Sequence, residues 1–253
     1  MGKSQVIVLR TAGTNCDKET CLAFNLAKAD SVDLVHINQL IRKEKNLNEY
    51  NILAIPGGFS YGDDISAGKI FANEFKYKLL DQLKKFIDDN KLIIGICNGF
   101  QVLVKTGLIL EDNEKATLSF NDSGKFECRW VSLKVERNKI NEEIWTKNLP
   151  DIIQLPIAHA EGKFVPESKT VMNKIEKNLQ VIFRYYKFNP NGSVNNVAGI
   201  TNKKGNILGM MPHPERFIYK YQHPLWTANK NNSFYGVGLK IFQNSVLYSK
   251  THL

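Results

Sequence analysis

LIIGICNGFQ, residues 92–101, holds the step on which the fold turns. Four apolar residues run into Gly95, Cys97 and Gly99, and helical spacing follows from Asn98 to Lys105. An apolar run this short with no polar alternation reads as a strand buried on both faces, KLIIGI (91–96). The glycines two residues either side of Cys97 let strand and helix cross closely, and a strained residue at the tip then projects its side chain outward. The new helix adds unpaired N–H groups and a partial positive charge, which favour thiolate over thiol. Most free cysteines are small buried hydrophobes, but that role does not require a glycine-flanked turn.

Outward from this step the first half alternates strand and helix. QVIVLR (5–10) reads as a strand, residues 17–29 as a helix, VDLVHI (32–37) as a second strand, and NILAI (51–55) as a third, ended by Pro56-Gly57-Gly58. From Ile65 to about Asp88 the residues Phe71, Phe75, Leu79, Leu83, Phe86 and Ile87 share one helical stripe. Apolar strands alternating with helices imply a parallel sheet covered on both faces. The middle differs: residues 123–136 are rich in β-formers and suggest an antiparallel excursion. QVIFRYY (180–186), VAGIT (197–201) and ILGMM (207–211) are later strands, NKKG (202–205) marks a hairpin, and residues 235–249 read as a closing helix. With no repeat, low-complexity run or linker, one domain spanning 1–253 is expected.

The 253 residues carry a formal charge of +9, four cysteines and five histidines. No run approaches a membrane span and the N-terminus lacks a signal-peptide pattern, so a cytoplasmic protein without a membrane partner is expected. Four cysteines without a CxxC pair argue against structural zinc and a disulfide framework; no metal site is expected. The lysine excess lacks the arginine and aromatic interleaving of a nucleic-acid face, so no nucleic-acid partner is expected either.

A thiol nucleophile needs a base and a group that orients the base. His213 lies in MMPHPER (210–216), bracketed by Pro212 and Pro214 directly after a strand. In extended backbone Glu215 projects to the same side and can hold the imidazole's tautomer. His159 in LPIAHAEGKF (155–164) has Glu161 at the same offset. Spacing alone does not separate the two, although the proline bracket favours His213. GFSYG (58–62) imitates an elbow around Ser60, but Pro56-Gly57-Gly58 intervenes between the strand and the serine. Gly57 and Gly58 are better suited to aiming backbone N–H groups at an oxyanion.

G-x-C-x-G-x-Q followed far downstream by H-P-E resembles the class I glutamine amidotransferases, in particular the glutaminase subunits of purine biosynthesis. The likeness extends through VLRTAGTNCDKET (8–20), IPGGFSYGDDISAGKIFANEF (55–75), SGKFECRWV (123–131) and LPIAHAEGKF (155–164). It departs at Ala12, where a proline is expected. The resemblance implies a flavodoxin-like three-layer α/β sandwich with a mostly parallel sheet. It makes Cys97 the nucleophile, His213 the base and acid, and Glu215 the orienter. It assigns the oxyanion hole to the N–H groups of Gly58 and Asn98, and glutamine binding to Gly57 and Gln101. It further implies ammonia delivery to a large synthetase subunit that converts formylglycinamide ribonucleotide to the amidine, with ATP and Mg bound on that partner and a small third subunit bridging the complex. No cofactor is expected in this chain, which has neither GxxxxGK[ST] nor GxGxxG. FECRWV (126–131), with Arg129 and Trp130, is a candidate docking segment. The competing readings are a glutaminase or γ-glutamyl hydrolase serving another acceptor, and a non-catalytic thiol protein of the same fold.

Overall fold

The structure is a computed structural model that describes residues 2–63, 66, 68–110, 114–228 and 233–253. The parallel half assembles as the apolar pattern requires. β1 (Gln5–Arg10), β2 (Ser31–His36), β3 (Ile52–Ile55) and β4 (Leu92–Ile96) pair in the order β2-β1-β3-β4, and β11 (Ile207–Met210) adds in parallel to β4. β1, β3, β4 and β11 are buried almost throughout, because helices cover both faces.

On one face α1 (Asp17–Leu26) packs on the closing helix α7 (Gly238–His252), with Phe24 and Phe242 edge to face at 5.0 Å. On the other lie α3 (Lys69–Glu74), α4 (Leu80–Asp88) and α5 (Asn98–Thr106), and α2 (Ile37–Ile41) packs beside β2. The result is a three-layer α/β sandwich.

The long helix expected from Ile65 to Asp88 is broken by a π turn over Phe75–Leu79, while Ile65 lies outside the described residues. Its stripe explains the break. Phe71, Phe75, Leu79 and Leu83 recur every four residues and are all buried. A 3.6-residue helix would rotate such a series off the core, and one wider turn absorbs the drift.

The sheet then continues antiparallel. β10 (Val197–Thr201) joins β11 through the 202–205 turn as expected, and β9 (Val181–Tyr185), β6 (Glu127–Val135) and β7 (Ile152–His159) complete the order β11-β10-β9-β6-β7. β5 (Ala116–Phe120) and β8 (Glu161–Pro166) form a separate antiparallel pair against α5, and α6 (Lys169–Lys177) follows β8. Periodicity had not distinguished β5, β7, β8 or α6.

The register of β6 positions the site. It pairs with β7 from Glu127 to Lys134, but with β9 only from Leu133 to Val135. The rest of the β6–β7 ribbon therefore leaves the sheet. It arches back over the carboxyl ends of β3, β4 and β11, where parallel strands of a doubly wound sheet place their ligand crevice.

Candidate active site

Cys97 sits directly beyond β4 with φ 52° and ψ −104°, a left-handed backbone that a non-glycine residue adopts only under constraint. The constraint is the crossing of β4 with α5. A Cβ on Gly99 would lie 1.9 Å from the Ile55 carbonyl oxygen, and one on Gly95 2.7 Å from the Gly99 carbonyl oxygen. Both flanking glycines are thus required by contact. The Cys97 N–H donates to Met210 O at 2.8 Å, and the thiol faces Ala158 O at 3.7 Å.

The two loops neighbouring this turn bring the rest. β11 ends beside β4, so Met211 and Pro212 carry His213 to the same rim, where its N–H donates to Pro156 O at 2.9 Å. Its Nδ1 meets Glu215 Oε1 at 2.6 Å, with both residues buried. β3 ends on the other side, and Gly57 packs against the pair: a Cβ there would lie 2.7 Å from His213 Cε1 and 3.4 Å from Cys97 Cβ. Cys97, His213 and Glu215 therefore converge, and Gly57 must lack a side chain for them to do so.

Burial works against a charged His213. The Glu215 carboxylate, supported by Cys97 and Cys16, nevertheless holds its pKa well above the ordinary 6.5. The stabilisation from this pair is complete below about pH 6.5 and is lost as pH rises through the folded-state pKa of His213. Glu215→Gln removes the strongest force raising that pKa. The alkaline limb of glutaminase turnover should then move toward neutral pH, with the plateau lowered by about 10²- to 10⁴-fold. A pH–rate profile checks both the position and the height.

The two candidate histidines have different partners. His159 is buried, but its Nδ1 lies 3.1 Å from Asn121 Oδ1 and does not pair with Glu161. β7 ends at His159, and beyond Ala160 Glu161 instead pairs with Phe120 in the small sheet. Burial, followed by the charge on His213, pushes the His159 pKa down to about 4. His36 caps α2 through Asn38 N, and His223 Nε2 donates to Gln154 Oε1 beside Trp130, both at the surface.

Beneath the thiol, Ser60 Oγ donates to Asn98 Oδ1, Asn98 Nδ2 to Gln101 Oε1 at 3.0 Å, and Gln101 Nε2 to Glu161 O at 2.6 Å. Ser60 is thus a brace, and the orientation of the Gln101 amide is fixed. Gly58, with φ +144°, packs on the loop after β1, where Phe59 N donates to Gly13 O at 2.9 Å. Gly58, Phe59, Cys97, Gln101, Ala158 and His159 line a cavity of about 190 Å³, together with Ala160 and Glu161. That space suits an amino acid better than a drug-sized ligand.

Sequence spacing passed over Cys16, Arg216 and Asn121. Cys16 Sγ lies 4.0 Å from His213 Nδ1 and accepts from Arg216 Nη2 at 3.1 Å. Burial chiefly raises the Cys16 pKa, which keeps it a thiol. Donor atoms of Cys16, His213 and Glu215 lie within 4.8 Å of one another. They already bond to each other or face a guanidinium, an arrangement that opposes a metal cation. The sequence signal for Cys16 was the TAGTNCD stretch after β1 and that for Arg216 its place in MMPHPER, while no spacing pointed to Asn121.

A family model of the CobB/CobQ-like glutamine amidotransferase domain matches residues 3–249. The phosphoribosylformylglycinamidine synthase subunit PurQ of Dehalococcoides mccartyi is 44% identical, over 99% of this chain and 99% of its own. That of Picrophilus torridus is 42% identical, over 99% of this chain and 100% of its own. A chain in the structure of PurLQS from Thermotoga maritima superposes with a TM-score of 0.76 at 33% identity, covering 97% of this chain and 99% of that one. A second glutamine amidotransferase structure from Thermotoga maritima shares the fold, with a TM-score of 0.54 at 17% identity and 100% of both chains covered.

Proposed function

The chain belongs to the CobB/CobQ-like glutamine amidotransferase family, and from that premise we propose that it acts as the glutaminase subunit of a phosphoribosylformylglycinamidine synthase. The whole chain works as one glutaminase unit. It hydrolyses glutamine to glutamate and ammonia, and the ammonia passes to a large synthetase subunit. That partner converts formylglycinamide ribonucleotide to formylglycinamidine ribonucleotide with ATP and Mg bound on itself, and a small subunit bridges the two. Among the described residues no helix is long and apolar enough to cross a membrane, in keeping with a cytoplasmic role in purine biosynthesis.

The observation that carries the mechanism is that Cys97, at the wall of the cavity, meets the buried His213–Glu215 pair across Gly57. Cys97 passes its thiol proton to His213, and the Sγ thiolate attacks the carboxamide carbon of glutamine. The N–H groups of Gly58 and Asn98 receive the oxyanion, a charge that such preorganised donors stabilise strongly. As the C–N bond breaks, His213 gives its proton to the leaving nitrogen and ammonia departs. His213 then takes a proton from water, the hydroxide attacks the thioester carbonyl, the C–S bond breaks, and glutamate and the thiol are restored. Glu215 orients the imidazole throughout, and Gly57 and Gln101 shape the glutamine pocket.

Arg129 is half-exposed on β6, bridging Glu127 at 2.6 Å and lying over the Phe188 ring. On this reading the exposed outer face of the β6–β7 ribbon meets the partner. The test is reconstitution with the large and small subunits, glutamine, ATP and the ribonucleotide. Glutamate and amidine should form together, and a glutamine-analogue alkylator should label Cys97. Absence of both labelling and glutamate in the assembled complex overturns the reading.

A further inference from the structure

His159 is a buried titratable group at the cavity wall that this mechanism leaves unused. Its surroundings fix its protonation. Asn121 Nδ2 donates to two carbonyl oxygens, Lys125 O at 2.9 Å and His159 O at 2.8 Å. Asn121 Oδ1 must therefore be the acceptor facing the ring, and it also takes the Gly162 N–H at 3.2 Å. The His159 proton consequently resides on Nδ1. Nε2 is left with a bare lone pair, buried and without a hydrogen-bond partner among the described residues. The ring is clamped in place, since a Cβ on Gly162 would lie 2.3 Å from His159 Nδ1. The residue lines the Cys97 cavity next to Ala158, whose carbonyl faces the thiol. A buried acceptor without a partner is costly unless a ligand satisfies it.

Resting on the glutaminase reading above, we infer that His159 Nε2 accepts a hydrogen bond from the carboxamide nitrogen of glutamine and, once the C–N bond has broken, from the ammonia that nitrogen becomes. The partner must be a donor, which excludes the carboxylate of glutamine, and the nitrogen released at Cys97 is generated within this cavity. A histidine is suited to the task only if it remains neutral. Imidazolium would offer a proton to ammonia, and ammonium is not a nucleophile. Burial beside a charged His213 keeps His159 unprotonated far below neutral pH. The ring thus holds the nitrogen without converting it to ammonium, and the hydrogen bond delays its escape to bulk water.

The readout is the ratio of amidine to glutamate formed by the assembled complex. His159→Phe keeps a ring of similar size and removes the acceptor. It should lower that ratio by about threefold or more as ammonia leaks, whatever happens to the rate of glutamate release, and external ammonium chloride should restore amidine synthesis. His159→Gln, which supplies a neutral acceptor oxygen, should recover part of the ratio. An unchanged ratio overturns the inference, including the case in which only KM for glutamine rises, which would place the α-amino group against His159. A wild-type complex that forms no glutamate overturns the glutaminase reading instead. Should the variants fail to assemble, nitrogen NMR of the wild-type complex with labelled histidine decides. The Nε2 resonance should be unprotonated at neutral pH and shift on titration with ammonia; a protonated or indifferent Nε2 overturns the inference.

Discussion

Cys97→Ala lowers glutamine-dependent amidine synthesis by about 10³-fold or more while ammonia-dependent synthesis by the complex continues. The magnitude is that of removing a nucleophile, after which only binding and the oxyanion donors remain. The separation of the two nitrogen sources is the informative part. The partner's chemistry needs ammonia from any origin, and external ammonium chloride bypasses Cys97. Alanine fits the site, because Cys97 is a small buried residue whose contact with the β7 backbone, to Ala158 O at 3.7 Å, is long. Paired assays with glutamine and ammonium chloride on the purified complex check the result. Loss of both activities would mean that the cysteine is needed for assembly and not for attack.

His213→Gln is expected to cost about 10³-fold in the same glutamine-dependent assay. It removes the proton donor for the leaving nitrogen and the base for thioester hydrolysis, and it leaves the buried Glu215 carboxylate without its partner. Residues that act as a unit do not contribute additively. The double variant Cys97→Ala, His213→Gln should therefore be no slower than Cys97→Ala alone. A product of the two single losses would place His213 outside the cysteine's mechanism. Mass spectrometry of the quenched single variant supplies a second check, since little glutamyl thioester should accumulate when its formation is itself slowed.

Several elements were legible from local pattern. β1 and β10 match their expected bounds, the other strands of the parallel half shift by one residue at their ends, and α1 stops three residues short of the expected 29. The elbow was legible because its requirements are local: Gly95 and Gly99 flank Cys97 within one strand-to-helix turn. The pairing of His213 with Glu215 was legible for the same reason, as alternation along extended backbone places residues two apart on one side. The identical offset in His159 and Glu161 left spacing unable to separate the two histidines; the chain leaves β7 after His159, and Glu161 enters a different sheet.

The sequence by itself determined the doubly wound half of the fold, the strained position of the thiol and the His213–Glu215 pair, since each depends on neighbours within a few residues and on the periods of strand and helix. The tertiary structure alone decided which histidine reaches the thiol, and that Cys16 and Arg216 stand behind it. It also decided that the β6–β7 ribbon folds back so that Pro156 and Ala158 touch residues distant in the chain. Those contacts arise from the short β6–β9 register and the packing of glycines against backbone. They are long-range steric facts that no local spacing encodes.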